Sequence, residues 1–409
     1  ALPILPLRLQ PEALPTPTQR GPSRVIHRIP PRVLLDHIER RATAATTAIM
    51  SKIAKILLVG IFIFSGLIKL NDPIGTQLKL EEYFEVFSVD FAFMAGFWKF
   101  WIPYALILSI LLSSLEIVLA VALALNYRIK QTLYAFVGIL AFFGFLTFYS
   151  AYFNKVTDCG CFGETIKLTP WTSFGKDIFL LLLTIILLIA KKPEGRKTGK
   201  WVATTAIASI ALGVFCYFHL PISDGLPYAI GDHIPTNMKE REPLKFSYVY
   251  KIKGVETELS EMPTDTTAQF ISMKAINEKD ARPLITDYQL WAEGDTTNYT
   301  QESFKGAKLM VIIPNIHHMN EGALPEIEKL TKGLKNITVW LVSASTDADV
   351  NALRHKYQLA FPALSADTKI LKTIVRSSPG LWLLKDGTVK GKWSSYSLPS
   401  ADEIQQSLE

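Results

Sequence analysis

Cys159 and Cys161 are two of only three cysteines in the 409-residue chain, and a single glycine separates them. They sit in Asp158-Cys159-Gly160-Cys161-Phe162-Gly163-Glu164, a short polar stretch between two long apolar runs. Sulfurs spaced this way are close enough to bond, but so small a ring is strained compared with an ordinary bridge. Strain makes a disulfide easier to reduce, which suits exchange with another protein better than stapling. Gly160 and Gly163 allow the backbone angles of such a turn. Asp158 and Glu164 disfavour a thiolate, holding the reduced pair less reactive. The same residues also fit a local clip that closes the loop, or a soft metal site.

Three further positions carry chemistry. Cys216 lies near the end of the last apolar run with His219 three residues on, on one helix face. It is a candidate resolving thiol, or with His219 and the loop pair a cysteine-rich metal ligand; as a lone cysteine in an apolar helix it is also an ordinary packing residue. Glu116 stands within an apolar run, where a carboxylate is costly unless paired or facing a cavity. Lys69 is its candidate partner. His317-His318 point apart in a strand or loop and read as a solvated turn.

These residues need a membrane scaffold. The chain is 49% hydrophobic, and its apolar residues crowd into 53–220, in stretches near the roughly 20 residues that cross a bilayer core. Five spans are expected, at about Ile53–Leu70, Pro103–Leu125, Thr132–Phe153, Phe174–Ala190 and Trp201–Leu220. Asn71-Asp72-Pro73-Ile74-Gly75 breaks the first helix, after which Leu78, Leu80, Tyr83, Phe84 and Phe87 predict a short amphipathic segment lying on the interface. Trp98, Trp101 and Tyr104 read as interfacial aromatics.

The net charge of +6 does not point to nucleic acid, because the basic residues gather in short loops beside the spans. Lys52 and Lys55, Arg128 and Lys130, and Lys191, Lys192, Arg196, Lys197 and Lys200 all fall on one side. By the positive-inside tendency that side is cytoplasmic, which places the Cys159 loop and residues 221–409 outside. In a bacterium that is the oxidising periplasm.

Residues 1–49 differ from the rest. Their basic residues are all arginine, and they are broken by Pro3, Pro6, Pro11, Pro15, Pro17, Pro22 and the pair Pro30-Pro31. Met50 is expected to be the natural start and 1–49 a non-native or disordered leader without function; the proline density argues against an amphipathic helix. The remaining divisions are a transmembrane domain at 50–190, a basic loop with the fifth span at 191–220, a linker and β-rich segment at 221–306, and a final domain at 307–409.

In the tail, Pro221 to Asn237 reads as a connector, Leu244–Ile252 and Val255–Leu259 as a hairpin around Lys253-Gly254, and Ala268–Lys274 and Leu284–Trp291 as further strands. Beyond Lys308 the order is strand at Leu309–Ile313, helix at Glu321–Leu334, strand at Thr338–Val342, helix at Asp347–Tyr357 and helix at Ala366–Val375. A hairpin of Leu381–Leu384 and Thr388–Trp393 across Asp386-Gly387 follows, then a helix at Asp402–Leu408. That order resembles an α/β thioredoxin-like domain, with Ser377-Ser378-Pro379-Gly380 where that fold places a cis-proline. Where thioredoxin has Cys-x-x-Cys, this chain has Ile313-Pro314-Asn315-Ile316-His317-His318. The domain holds no thiol, so it reads as a docking domain and not as an exchanger.

Phe64-Ser65-Gly66-Leu67-Ile68-Lys69, then Asp72-Pro73-Ile74-Gly75, then Asp158-Cys159-Gly160-Cys161-Phe162-Gly163 resemble the DoxX-like membrane proteins, and specifically their MauE branch, over about residues 53–190. The resemblance implies a helical membrane bundle associated with methylamine utilisation. It also implies work beside a thioredoxin-like partner in supplying disulfides to the small subunit of methylamine dehydrogenase. Cys159 and Cys161 are the residues that match.

The expectation is a multi-pass protein of a bacterial inner membrane whose Cys159/Cys161 pair cycles between dithiol and disulfide, a candidate thiol-disulfide oxidoreductase acting on a periplasmic protein partner. Asp158, Gly160, Phe162, Gly163, Lys69, Glu116 and Pro379 are its supporting residues. No cofactor motif is present, and a quinone is the candidate electron acceptor. The alternative is a non-enzymatic membrane scaffold with a structural loop disulfide.

Overall fold

The computed structural model describes residues 31–156, 168–190, 198–252, 255–261, 263 and 268–409. The chain divides into two compact units, Ala1–Met50 and Ser51–Glu409. Helix α1 (Pro31–Asn71) begins inside the stretch expected to be an irregular leader. The reason is local: the prolines stop at Pro31, a residue tolerated in the first turn of a helix, and none follows before Asn71.

Among the described residues, five stretches are long and apolar enough to cross a membrane: Ala45–Asn71, Ala92–Ala124, Ile129–Phe153, Pro170–Ile189 and Gly199–His219. The first is the body of α1. The others contain α3 (Ala95–Trp101) and α4 (Ala105–Ala124), then α5 (Ile129–Phe153), α6 (Pro170–Ile189) and α7 (Gly199–His219). Lys55, near the start of the first span, donates to the carbonyl of Ala124 at 3.0 Å and to the side chain of Asn126 at 2.7 Å, so α1 and α4 run antiparallel.

The segment expected to lie on the interface is instead an 18-residue helix, α2 (Pro73–Asp90), packed into the bundle with Leu80, Tyr83, Phe84 and Phe87 buried. The apolar side chains are those the sequence marks. They are covered by protein because Tyr83 meets Ser150 of α5 at 2.6 Å, Ser109 of α4 donates to the carbonyl of Pro73 at 2.7 Å, and Trp98 stacks on Phe84.

Between apolar helices in lipid, close packing of small residues takes the place of hydrophobic sorting. A Cβ on Gly66 of α1 would lie 2.6 Å from Ile117 Cγ1 and 2.9 Å from the Ser113 carbonyl of α4; one on Gly213 of α7 would lie 2.9 Å from Leu70 Cδ2.

After α7 the chain forms two sheets and several helices. β1 (Phe246–Ile252), β2 (Val255–Leu259) and β3 (Gln269–Ala275) make an antiparallel sheet ordered β2-β1-β3. The hairpin tip Lys253-Gly254 lies outside the described residues. Three one-turn helices, α8 (Ile234–Asn237), α9 (Glu278–Ala281) and α10 (Tyr299–Glu302), punctuate the irregular chain around it.

The second sheet contains β4 (Ala307–Ile313), β5 (Thr338–Ser343), β6 (Ala363–Ser365), β7 (Gly380–Lys385) and β8 (Thr388–Ser394) in the order β6-β5-β4-β7-β8. β4, β5 and β6 are parallel, and β7 and β8 antiparallel to their neighbours. The period of two along β4 sorts its side chains. Leu309, Val311 and Ile313 face α11 (Leu324–Lys332), α12 (Asp347–Tyr357) and α14 (Ala401–Ser407), while Met310 and Ile312 face α13 (Thr368–Ile374) and the connector. Ser378-Pro379 is cis, as expected from the sequence.

Two expectations change here. Leu284–Trp291 is not a strand: Tyr288 and Leu290 are buried in the core, and only Trp291 makes an isolated bridge, to Ser365. The short strand β6 goes unmarked in the sequence reading. Residues 221–237 are also more than a connector, since Tyr228 and Ile234 belong to the core of the five-stranded sheet. His233 bridges to Thr388 on β8, and Trp291 to β6, so irregular chain pairs with one point on each edge of that sheet.

The close approach of α1 and α4 makes Gly66→Val an overpacked variant, costing about 1–3 kcal/mol, and it should lower the thermal midpoint in detergent. Gly138→Ala, where a Cβ meets nothing within 4 Å, should leave that midpoint unchanged or raise it.

Candidate functional site

Asp158, Cys159, Gly160, Cys161, Phe162 and Gly163 lie outside the described residues. The structure does describe how their loop is held at each end. On the incoming side α5 ends at Asn154, in the left-handed conformation. Lys155 and Tyr149 both bond the Asp90 carboxylate at the end of α2. The Lys155 and Tyr149 donors hold the Asp90 carboxyl below its ordinary value. Val156 is fully buried among Tyr83, Phe87, Leu146 and Tyr149. On the outgoing side Thr169 caps α6 by accepting from the Thr172 amide, and Pro170 occupies the first turn. The described residues on either side, up to Val156 and from Thr169, are thus fixed at two helix ends, and α2 supplies the anchor for the first.

Lys69 and Glu116 do meet. They form a buried ion pair between α1 and α4, with side chains 8% and 2% exposed. The ammonium also lies 4.6 Å from the centre of the Phe143 ring. Neither charge would be tolerated singly in an apolar bundle, so each is the condition for the other. Asp177, which the sequence reading passed over, is a second buried carboxylate: Thr147 donates to it at 3.0 Å and Lys176 at 2.6 Å.

Cys216 and His219 do not converge. Cys216 is 1% exposed, whereas His219 is exposed, stacked on Phe215 and bonded to the Phe215 carbonyl at 3.2 Å. Three residues on a helix still differ by about 60° in direction, and at the end of a peripheral helix that angle separates inside from outside. His317, an exposed residue, lies 3.7 Å from Asp349, in keeping with a solvated turn.

Sequence reading missed the interaction that joins the tail to the bundle. Asp72 stands between α1 and α2 and accepts from the Gly75 amide at 2.9 Å, capping α2. The same carboxylate receives Arg376, with Nε at 3.1 Å and Nη2 at 2.9 Å. Arg376 is 4% exposed and lies three residues before Pro379. Its Nη1 donates to the Lys372 carbonyl at 2.5 Å. Beside this pair, Asn71 and Ser223 exchange two hydrogen bonds at 2.7 and 3.0 Å, and Lys372 lies 4.0 Å from Glu81.

The local sequence explains the seat. Pro73 starts α2 without an amide to satisfy, and a Cβ on Gly75 would sit 2.4 Å from Asp72 Oδ2 and 3.3 Å from Arg376 Nη2. The signal in Asp72-Pro73-Ile74-Gly75 was therefore visible, but only as a helix break; nothing in it names a partner 304 residues away.

The family described as Methylamine utilisation protein MauE matches residues 47–190, which hold the first four of the five membrane-length stretches. No curated protein matches the chain.

Gly75→Ala should unseat Arg376 as effectively as Asp72→Asn. Breaking a buried charge pair from one side costs about 3–5 kcal/mol, so both variants should release protease-sensitive sites between α7 and β1 and raise hydrogen exchange around Arg376. Protection equal to that of the native chain in both variants would mean that the pair does not hold the tail.

Proposed function

We propose that the chain is a thiol-disulfide exchange protein of the bacterial envelope, with Cys159 and Cys161 as its exchanging pair. The observation that carries the proposal is that the MauE match spans the region containing both cysteines, in a loop whose two ends are pinned to helix termini. The bundle then crosses the inner membrane, with its basic connections on the cytoplasmic side and the loop and tail in the periplasm.

The exchange runs in two displacements. A thiolate of the exported partner attacks one loop sulfur, forming a mixed disulfide and expelling the other loop sulfur as a thiolate. A second partner thiolate attacks the mixed disulfide, leaving the partner oxidised by two electrons and the loop pair as a dithiol. Two electrons and two protons must then leave the loop to restore it, and a quinone is the candidate acceptor. Burial of Cys216 keeps it out of the exchange as drawn.

The tail is read as a thioredoxin-like docking domain. Its support is the order of β4 to α14, the cis bond at Ser378-Pro379, and the lack of any cysteine after Cys216. The name of the matched family suggests an origin in methylamine utilisation, whereas a thiol-free partner domain fused to the bundle favours a broader role in maturing exported proteins.

Single variants Cys159→Ser and Cys161→Ser leave one nucleophile without its neighbour, so at least one should accumulate a reductant-sensitive adduct with an exported protein, seen as a shifted band on non-reducing gels. The double variant should lose the adduct at an unchanged protein level. If neither single variant captures a partner and the double variant supports full function, the loop is a structural clip and the protein a scaffold.

A further inference from the structure

The three-stranded sheet sorts its charges onto one face. Side chains alternate along a strand, and the register puts Phe246, Tyr248 and Tyr250 of β1 on the same face as Leu259 of β2 and Met273 of β3, with Phe270 against Tyr250. The opposite face is polar: Lys251 stands across from Glu256, Ser247 donates to Glu258, and Lys274 lies across from Ser247. The apolar face carries no charge along its three strands.

That face is open. Val255, Phe270 and Met273 are each more than half exposed. β3 is also an edge strand, with β1 as its neighbour among the described residues. Ile276 donates to the Lys245 carbonyl, just before β1, at 2.9 Å. The alternation of an antiparallel ladder therefore turns the backbone groups of Ala275 and Met273 away from β1, toward the open edge. Unpaired backbone groups along such an edge are a template for another strand.

Area and charge decide among the occupants. A three-stranded face of this length covers on the order of 300 Å². Two copies packed face to face bury well below the roughly 1,200 Å² of a stable interface. Lipid is disfavoured because the apolar face lacks the lysine and arginine that draw a surface to anionic headgroups. An extended segment needs neither a large area nor a charge, since the ladder supplies affinity and alternate side chains supply the apolar contact.

We propose that β3 receives an extended, uncharged segment of alternating apolar residues from an incoming polypeptide, added as a fourth strand with its apolar side chains beside Phe270 and Met273. Thioether and aromatic surface accommodates varied sequences, as a docking domain for exported chains requires. The proposal rests on the docking reading of the tail and gives it a location; it is independent of Cys159 and Cys161.

The probe is a fluorescent, cysteine-free ten-residue peptide alternating Val and Thr, titrated by anisotropy against the full chain in nanodiscs of neutral lipid. It should bind saturably and slow amide hydrogen exchange in β3. A control with Ser in place of each Val should bind about tenfold or more weaker, for want of apolar burial. The paired variant Phe270→Thr with Met273→Thr changes exposed positions, so it should keep the thermal midpoint and lose affinity by a similar factor. No saturable binding, equal binding of the two peptides, unchanged exchange in β3, or a paired variant that binds as the native chain does overturns the proposal. So does a native dimer in detergent that the paired variant abolishes, which gives the face to a second copy, or β3 protection that appears with anionic nanodiscs alone, which gives it to lipid. Because the probe has no thiol, each of these outcomes leaves the exchange chemistry of the loop untouched.

Discussion

One carboxylate carries two structural duties in this protein. Asp72 ends α1, caps α2 through the Gly75 amide, and receives the Arg376 side chain from the far end of the chain. A guanidinium buried to this degree requires a partner that matches its planar fork, and a carboxylate held at a helix break provides it. The geometry leaves no room for a side chain at position 75. Cap, turn and docking contact are therefore a single arrangement, and loss of any member exposes the charge of the others.

The same constraint organises the interior of the bundle. Lys69 with Glu116, and Asp177 with Lys176 and Thr147, place ionisable groups where water is scarce, each with a partner on hand. Such pairs seldom stabilise a fold more than apolar residues of equal volume would; they fix which helices adjoin and in what register. Here Lys69 and Glu116 fix α1 against α4, and α4 in turn holds α2 through the Ser109 bond to Pro73. α2 then reaches the start of the cysteine loop through Asp90. Separate polar contacts, joined only by the lengths of α1, α2 and α4 themselves, thus tie the tail to the bundle and the bundle to Lys155.

Much of this was legible in the sequence, and the reasons for the rest are physical. Long apolar runs announce membrane helices by length alone, so all five spans were found to within a few residues, apart from the turns preceding α4 and the extra length of the first. Lys69 and Glu116 were marked because a charge in an apolar run has few explanations. Asp72 with Arg376 was not, because pairing across 304 residues leaves no periodic trace. The strand expected at Leu284–Trp291 failed for a related reason. Its apolar residues answer to burial in the core and not to a ladder, and short apolar runs do not distinguish the two. Each edge of the five-stranded sheet is paired at one point by backbone bonds, from Gly231, Asp232 and Ile234 at β8 and from Trp291 at β6, and backbone bonds ask little of side-chain identity.

The central claim concerns the Cys159/Cys161 pair, and its most direct test is the redox state of Cys159, Cys161 and Cys216 in intact cells, trapped with a mass-tagging thiol reagent before and after mild reductant. Exchange at the loop predicts a mixed Cys159/Cys161 population that shifts readily with the reductant while Cys216 stays unchanged. A pair that is fully oxidised and resists reductant would contradict the account and leave the loop a structural clip.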